Sequence, residues 1–431
     1  MSKKYRWGTM VPLIGGSAVG CNQATGTLPQ FHFSFDGFEV NDEGILNYWK
    51  DEKIPYYHID SEEVPLNEKR FQNIDFVNSV CPCAALARIN TSTGEMVGGN
   101  APQNQWMYKS AEFILEKIKP TVYWGENAPA LNMDAGKPVV ANLMKIGKKY
   151  GYSFSIYKTS TIYHGLPQKR ERCFYFFWKG DKIPVLSFFD RERPTYAEFL
   201  SNVNDNLSEY DIITGPVFSG THKPTDYLPF RYLLEKSGQT YAEYFKSNSS
   251  EASIKSTMGI IRESGCIDDI IKWMKENHLE EATAKTQHQR HNQLEWMEYV
   301  KEKWEDNKGI FYQGPIFTYN YCPAVISKNC AMMIHPTEDR YLSLREMASL
   351  MGMPADFKLT NSHLKHGYYT PQMIGQNVPV NTVRDVASQV LRFIDGDKTL
   401  QYVTVSNGYY LQNNVSKVCK EVSEKTTKKL F

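Results

Sequence analysis

The residues with chemical potential in this chain stand at a few separated places. Cys83 follows Pro82 after an apolar stretch, 75–80, that reads as a short buried strand. Pro82 donates no ladder hydrogen bond, so the strand stops and the Cys83 thiol is delivered at its end. In open α/β sheets that edge is where ligands bind, which makes Cys83 a candidate nucleophile. The competing reading is a buried thiol acting as a small hydrophobe. A zinc pair of Cys81 with Cys83 fits less well, because the spacing is C-x-C and no second pair follows at ligand spacing. Glu126 and Asn127 close a second apolar run, 121–125. Arg170 and Arg172 lie two apart on a stretch that reads as a strand, and so share one face; an exposed basic turn is the alternative.

Three further features suit a nucleotide-like ligand. The run 9–20 ends in Gly15-Gly16-Ser17-Ala18-Val19-Gly20, a near miss to G-x-G-x-x-G with Ser17 at the middle glycine. Such a turn lets the backbone approach a cofactor, although a plain tight turn reads equally well. Glu39 follows the stretch 31–40, whose alternating aromatic residues read as a second strand; an acid there is placed to bond a ribose. Asp60 closes a third strand over 54–60. Asp42 is the next acid in reach if Glu39 is not the ligand.

Those positions require strands and helices in alternation. Helices are expected over 44–49, 106–119 and 137–150, and strands over 151–157 and 173–178. Between Cys83 and the second helix, 88–105 is rich in Gly, Ser and Thr and reads as a loop able to act as a lid. The alternation breaks over 184–229, and 241–307 is polar and helical in pattern. It resumes with a helix over 343–351 and a final amphipathic helix over 378–394. The simplest architecture is one α/β domain assembled from residues 1–183 and 341–396. A different domain is inserted at 184–340, and a polar tail with partial disorder follows at 397–431.

The chain has 431 residues, 41% hydrophobic and 23% charged, within the range of ordinary globular proteins. Its formal net charge of +1 gives no global basic signal, so a nucleic-acid partner would need local positive charge. The eight cysteines lack framework spacing, which points to reduced thiols in a cytosolic setting. No apolar run reaches the length of a membrane span, and no membrane partner is expected.

Several of these segments together resemble the DNA cytosine-5 methyltransferase family. The resemblance rests on Pro82-Cys83, Glu126-Asn127, and Gln168-x-Arg170-x-Arg172. It continues with Arg340-x-Leu342-x-x-Arg345-Glu346 and Gly375-x-x-Val378-Pro379, in that order. It covers the chain outside the insertion and the tail. The family's F-x-G-x-G turn stands here as Leu13-x-Gly15-x-Ser17, its Pro-Pro-Cys-Gln as Cys81-Pro82-Cys83-Ala84, and its final Gly-Asn as Gly375-Gln376-Asn377.

The resemblance implies a Rossmann-like doubly wound methyltransferase sheet with an inserted, largely helical and irregular target recognition domain. It implies that Cys83 attacks C6 of a flipped-out cytosine, that Glu126 acts as the acid at N3, and that Arg172 contacts the base. Arg170 would orient the cysteine–glutamate pair, with Asn127 and Gln168 positioning the substrate. S-adenosylmethionine would be held by Leu13, Gly15, Ser17, Glu39, Asp60, Pro82, Gln376 and Asn377. The implied partners are double-stranded DNA and a cognate restriction endonuclease, in the cytoplasm of a bacterium or encoded by a phage. RNA cytosine methylation on the same scaffold is a second reading, and a decayed DNA-binding homologue a third. The long insertion favours DNA, and the retention of Cys83, Glu126, Gln168, Arg170 and Arg172 together argues against decay. By position the insertion is where the target would be read, although its strip 287–291 reads more naturally as a solvated helix face.

Overall fold

A computed structural model describes residues 4–81, 86, 101–203, 223–249, 255–284, 291–310, 312–318, 320–326, 332–360, 362 and 369–423. Nine strands form the central sheet. They are β1 (Trp7–Met10), β2 (His32–Ser34), β3 (Tyr56–His58), β4 (Phe76–Ser79), β5 (Val122–Asn127), β6 (Tyr152–Ser160), β7 (Glu171–Lys179), β8 (Gly408–Asn413) and β9 (Val418–Ser423). Their order is β9-β8-β6-β7-β5-β4-β1-β2-β3. Strands β3, β2, β1, β4 and β5 run parallel. Strand β7 is antiparallel to both neighbours, β5 and β6. The order reverses beside β1, and a crevice opens outside the carboxyl ends of strands at such a switch point.

The inner strands are continuous rather than alternating in character because both faces of the sheet are covered. All residues of β1, β4 and β5 are buried. Tyr123 stacks on Phe177 with ring centroids 5.5 Å apart, and Phe176 on Trp178 at 5.0 Å. Helices α1 (Gly16–Thr25), α2 (Glu39–Tyr48), α3 (Gln105–Phe113), α4 (Lys137–Lys149) and α5 (Val380–Ile394) flank the sheet. The last closes against the first through Gly20: a Cβ there would sit 2.6 Å from Val383 and 2.8 Å from the Val380 carbonyl. The amino and carboxyl parts of the α/β unit therefore meet backbone to backbone.

Three local expectations are corrected. The stretch 31–40 is not one strand. Gly37, at φ 90°, turns the chain after β2, and Glu39 opens α2. Glu39 and Asp42 there face the positive end of the helix dipole. The stretch 168–172 is also interrupted: Gln168–Lys169 pairs in parallel with Cys322–Pro323, and β7 starts only at Glu171. Arg170 sits at the break, so Arg170 and Arg172 do not share a face of one strand. Finally, the segment after 397 is not simply a polar tail. Tyr402–Val403 pairs with Ile183–Pro184, and β8 and β9 extend the sheet beyond β6. Tyr409, Tyr410 and Leu411 are buried against β6, which provides the driving force.

Among the described residues of 228–305, six helices bury Phe230, Tyr244, Met258, Met274 and Met297, together with Phe317, in an apolar core continuous with that of the sheet. Four of the six begin with a Ser, Thr or Asn side chain or a proline at the first turn. This explains why so polar a stretch still holds helices.

Candidate active site

Two strand ends and one facing strand build the core of the site. Strand β4 ends at Ser79, opposite Gly125 of β5. Strand β5 continues two residues further, to Glu126 and Asn127, which face Phe174 and Cys173 of β7. Glu126 is only 3% exposed, at the open edge of a closely packed sheet. The Arg172 Nε lies 2.6 Å from its Oε1, an ion-pair contact rather than an aligned hydrogen bond. The Arg172 Nη1 donates to the Glu171 carbonyl at 2.8 Å. Burial pushes the Glu126 carboxyl above its usual range, while Arg172 and then Arg170 pull it back. The outcome is a carboxyl with an elevated proton affinity and a cation at its side.

Arg170 is 2% exposed and works on the backbone. Its Nη1 donates to the Val325 carbonyl at 2.9 Å, and its Nη2 to the carbonyls of Gly375 and Asn377, each at 2.9 Å. Gln168 does similar work, donating to the Leu350 carbonyl at 2.8 Å and accepting from the Val325 amide at 3.0 Å. Together they bind the chain returning from the insertion to the strand that carries Arg172. Asn127 accepts from the Ala128 amide at 2.9 Å and approaches the Met107 sulfur at 3.2 Å. Arg340 grips Glu346 with two nitrogens at 2.8 Å, and Glu346 caps the Leu344–Leu350 helix through Ser343. The R-x-L-x-x-R-E motif is thus a folding device beside the site.

Pro82 and Cys83 lie outside the described residues, as do residues 88–100 of the expected lid. Their neighbour Cys81 is described, and it is buried. Its sulfur lies 3.1 Å from the Ser79 Oγ and 3.3 Å from the Ser110 Oγ, and burial pushes its thiol pKa up. Cys81 is held as a thiol inside the core and is unsuited to nucleophilic attack.

The carboxyl ends of β1, β2 and β3 carry the other sequence-marked residues. Val11, Leu13 and Gly15 take φ of 52°, 53° and 107°, so the turn after β1 is tightly wound. Three side chains hold it. Asp42 accepts from the Leu13 amide at 2.8 Å, Asn377 accepts from the Gly16 amide at 2.9 Å, and Asn78 donates to the Ser17 hydroxyl. Ser17 therefore points inward to β4. Asn377 is buried, whereas Gln376 is exposed. Glu39 accepts from the Gly37 amide at 3.1 Å, and Asp60 from the Asp36 amide at 3.1 Å; both carboxylates remain open to solvent.

Asp42 carries more than its sequence position suggested. It is fully buried and also accepts from the Ser34 hydroxyl at 2.5 Å and the Tyr56 hydroxyl at 2.8 Å. Burial pushes its pKa up to about 7 against those bonds. The signal was its spacing: it lies three residues before Ile45, on the inward face of α2. Sequence reasoning missed His58, whose ring lies 3.3 Å from Glu39, 3.5 Å from Asp36 and 3.6 Å from Glu62. Asp36, Glu39 and His58 bring ligand-type atoms within 4.8 Å of one another, a grouping able to take either hydrogen-bond donors or a cation.

A sheet in the order 3-2-1-4-5-7-6, with its seventh strand reversed and a buried acid at the end of the fifth, defines a Rossmann-like methyltransferase. The family model for C-5 cytosine-specific DNA methylase matches residues 13–392, and the chain belongs to that family. The type II methyltransferase M.PspPI of Psychrobacter sp. (strain TA137) is 24% identical over 329 residues, which is 75% of this chain and 65% of that protein's length. Two solved structures share the fold, each with a TM-score of 0.50. One is a prophage-encoded E. coli protein assigned as a DNA modification methyltransferase, 13% identical, with 91% of this chain and 99% of that one covered. The other is the Entamoeba histolytica methyltransferase EhMeth, 14% identical, with 92% and 99% covered.

Proposed function

We propose that this protein methylates C5 of cytosine in double-stranded DNA, with Cys83 as nucleophile and S-adenosylmethionine as methyl donor. The observation that carries the reading is the buried Glu126–Arg172 pair at the strand end next to the one that leads to Cys83. C5 of cytosine is too weak a nucleophile to take a methyl group directly. Addition of the Cys83 thiolate to C6 makes an S–C6 bond and shifts electron density to C5. The negative charge that would gather at N3 is met by the proton of Glu126, whose raised proton affinity suits that task; general acid catalysis of this kind contributes about 10²–10⁴-fold. After methyl transfer, loss of the C5 proton expels the thiolate and restores the ring. Arg172 holds the Glu126 carboxyl and would contact the base. Arg170, Gln168 and Asn127 keep the surrounding backbone in place. The base must leave its stack to reach this edge, at a cost of a few kcal/mol.

The donor set at the switch point fits the cofactor. The open carboxylates of Glu39 and Asp60 can accept from a ribose and an adenine, and the tight turn at Leu13 and Gly15 offers backbone close by. Gln376 and Pro82 remain assigned to the same crevice, while Ser17 and Asn377 serve it by holding the turn. The bound cofactor supplies an electrophilic methyl group on a sulfonium. The break in strand–helix alternation over 184–340, and the helices described there, support a target-recognition role for that region. The likeness to a type II methyltransferase of Psychrobacter supports a place in a restriction–modification system, with a cognate endonuclease as partner and the cytoplasm as site of action. Among the described residues no helix is long and apolar enough to cross a membrane.

The test is covalent trapping. With S-adenosylmethionine present, DNA containing 5-fluorocytosine should form a stable adduct, because fluorine at C5 blocks the elimination. Cys83→Ala should abolish the adduct and Cys81→Ala should retain it. The reverse pattern would overturn the assignment.

A further inference from the structure

The positive charge that a DNA-binding protein needs is concentrated in one unexpected segment. Residues 398–431 carry six lysines against two acids, a net of +4 in a chain whose total is +1. The inserted region 184–340 carries 17 basic against 23 acidic residues, a net of −6. The matched family region ends at residue 392, so the basic segment lies outside it. It is nevertheless built into the catalytic sheet through β8 and β9.

Register shows where that hairpin points. Asn127 pairs with Cys173, Cys173 with Lys158, and Lys158 with Asn413. Asn127 and Asn413 thus occupy one row across four strands, at the same edge of the sheet. Three strand spacings of ~4.8 Å put the hairpin turn about 14 Å along that edge from the Glu126 strand. At 3.4 Å per base pair, this is about four base-pair steps of a duplex lying on the edge.

The turn is held rigidly and its charge is left open. The buried Asn414 donates to the Thr159 hydroxyl at 3.0 Å and the Phe189 carbonyl at 3.1 Å. The Lys417 ammonium donates to the Phe189 carbonyl at 3.1 Å and the Asn414 Oδ1 at 3.0 Å, and stands 4.9 Å over the Tyr163 ring. Each partner is neutral, and an ammonium has a third donor to give. Lys420 stands exposed three residues beyond, on the open edge strand. Among the described residues neither Lys417 nor Lys420 has a carboxylate within ion-pairing distance, whereas Lys158 on the adjacent strand is neutralised by Glu171 at 2.7 Å.

We propose that the β8–β9 hairpin is a DNA-backbone clamp, in which Lys417 and Lys420 bind phosphates of the duplex that flanks the target cytosine. The inference rests on the DNA reading given above, and it assigns to the hairpin affinity without base recognition. Binding of a non-cognate duplex should be read by fluorescence anisotropy across a salt series, for the full chain and for Lys417→Gln/Lys420→Gln. Each phosphate contact contributes about 0.9 to the slope of log K against log salt, so the double variant should lose up to about 1.8. Its KM for DNA should rise while kcat at saturating DNA stays unchanged. Lys182→Gln, an exposed lysine on the opposite edge of the sheet, should leave both slope and KM unaltered. An unchanged slope in the double variant, or an equal loss in Lys182→Gln, would overturn the clamp while wild-type methylation still upholds the DNA reading. A wild-type protein that neither binds nor methylates duplex DNA would overturn both. Matching thermal unfolding of the variants shows that any loss arises from charge rather than from a loosened hairpin.

Discussion

Asp42 should make the protein lose stability as the pH rises from about 4 to 7, and Asp42→Asn should remove that loss. The carboxyl is fully buried, and its pKa rises from 3.8 to about 7 because burial disfavours the charge. A group whose folded pKa is raised stabilises the fold below its unfolded pKa, and that contribution disappears as pH climbs through the folded value. A rise of about three units corresponds to about 4 kcal/mol, spread over the window at up to ~1.4 kcal/mol per pH unit. Asparagine keeps an oxygen for the Leu13 amide and can adapt to the hydroxyls of Ser34 and Tyr56, but it does not ionise. The assay is denaturant unfolding of both proteins from pH 4.5 to 8. The stability of Asp42→Asn relative to wild type should climb with pH and level off above about 7. Two parallel curves would refute the reasoning, since Asp42 would then titrate alike in the folded and unfolded chain. Asp42→Ala should behave differently: it orphans the buried Leu13 amide at a cost of about 1–3 kcal/mol and loosens the cofactor turn at every pH.

The other expectations concern the site itself. Arg172→Ala removes the largest influence that lowers the Glu126 pKa, so the alkaline limb of the methylation pH profile should move to higher pH while kcat falls; an unmoved limb would detach Glu126 from the proton transfer. Glu39→Ala should weaken S-adenosylmethionine binding by about 1.5–3 kcal/mol in calorimetry, the range of a hydrogen bond to a charged group. Unchanged affinity there would shift the ribose contact to Asp36 or His58, which share the same cluster.

The strand ends were legible in the sequence for a local reason. Short apolar runs closed by Pro82 or by Glu126-Asn127 announce where buried strands stop, and burial on both faces removes the alternation that would otherwise blur them. Helix α5 was equally plain, since an amphipathic period over 15 residues needs no knowledge of its partner. The run 31–40 misled because its aromatic alternation continues past Gly37, where the backbone already turns.

Sequence alone determined which residue types stand at the ends of the strands, and with them the chemistry on offer, because those signals are carried by neighbours along the chain. The tertiary structure decided which of them meet. Only packing brings Arg172 to Glu126 while sending Arg170 to three backbone carbonyls. Only packing turns Ser17 inward to Asn78 and seals Asp42 and Cys81 from water. The hairpin after residue 397 was hidden for the same reason. Its apolar residues are few, and they bury themselves only because β6 presents an open edge supplied by a distant part of the chain. Strand register and desolvation are properties of contacts between distant segments, and a local pattern cannot specify its partner.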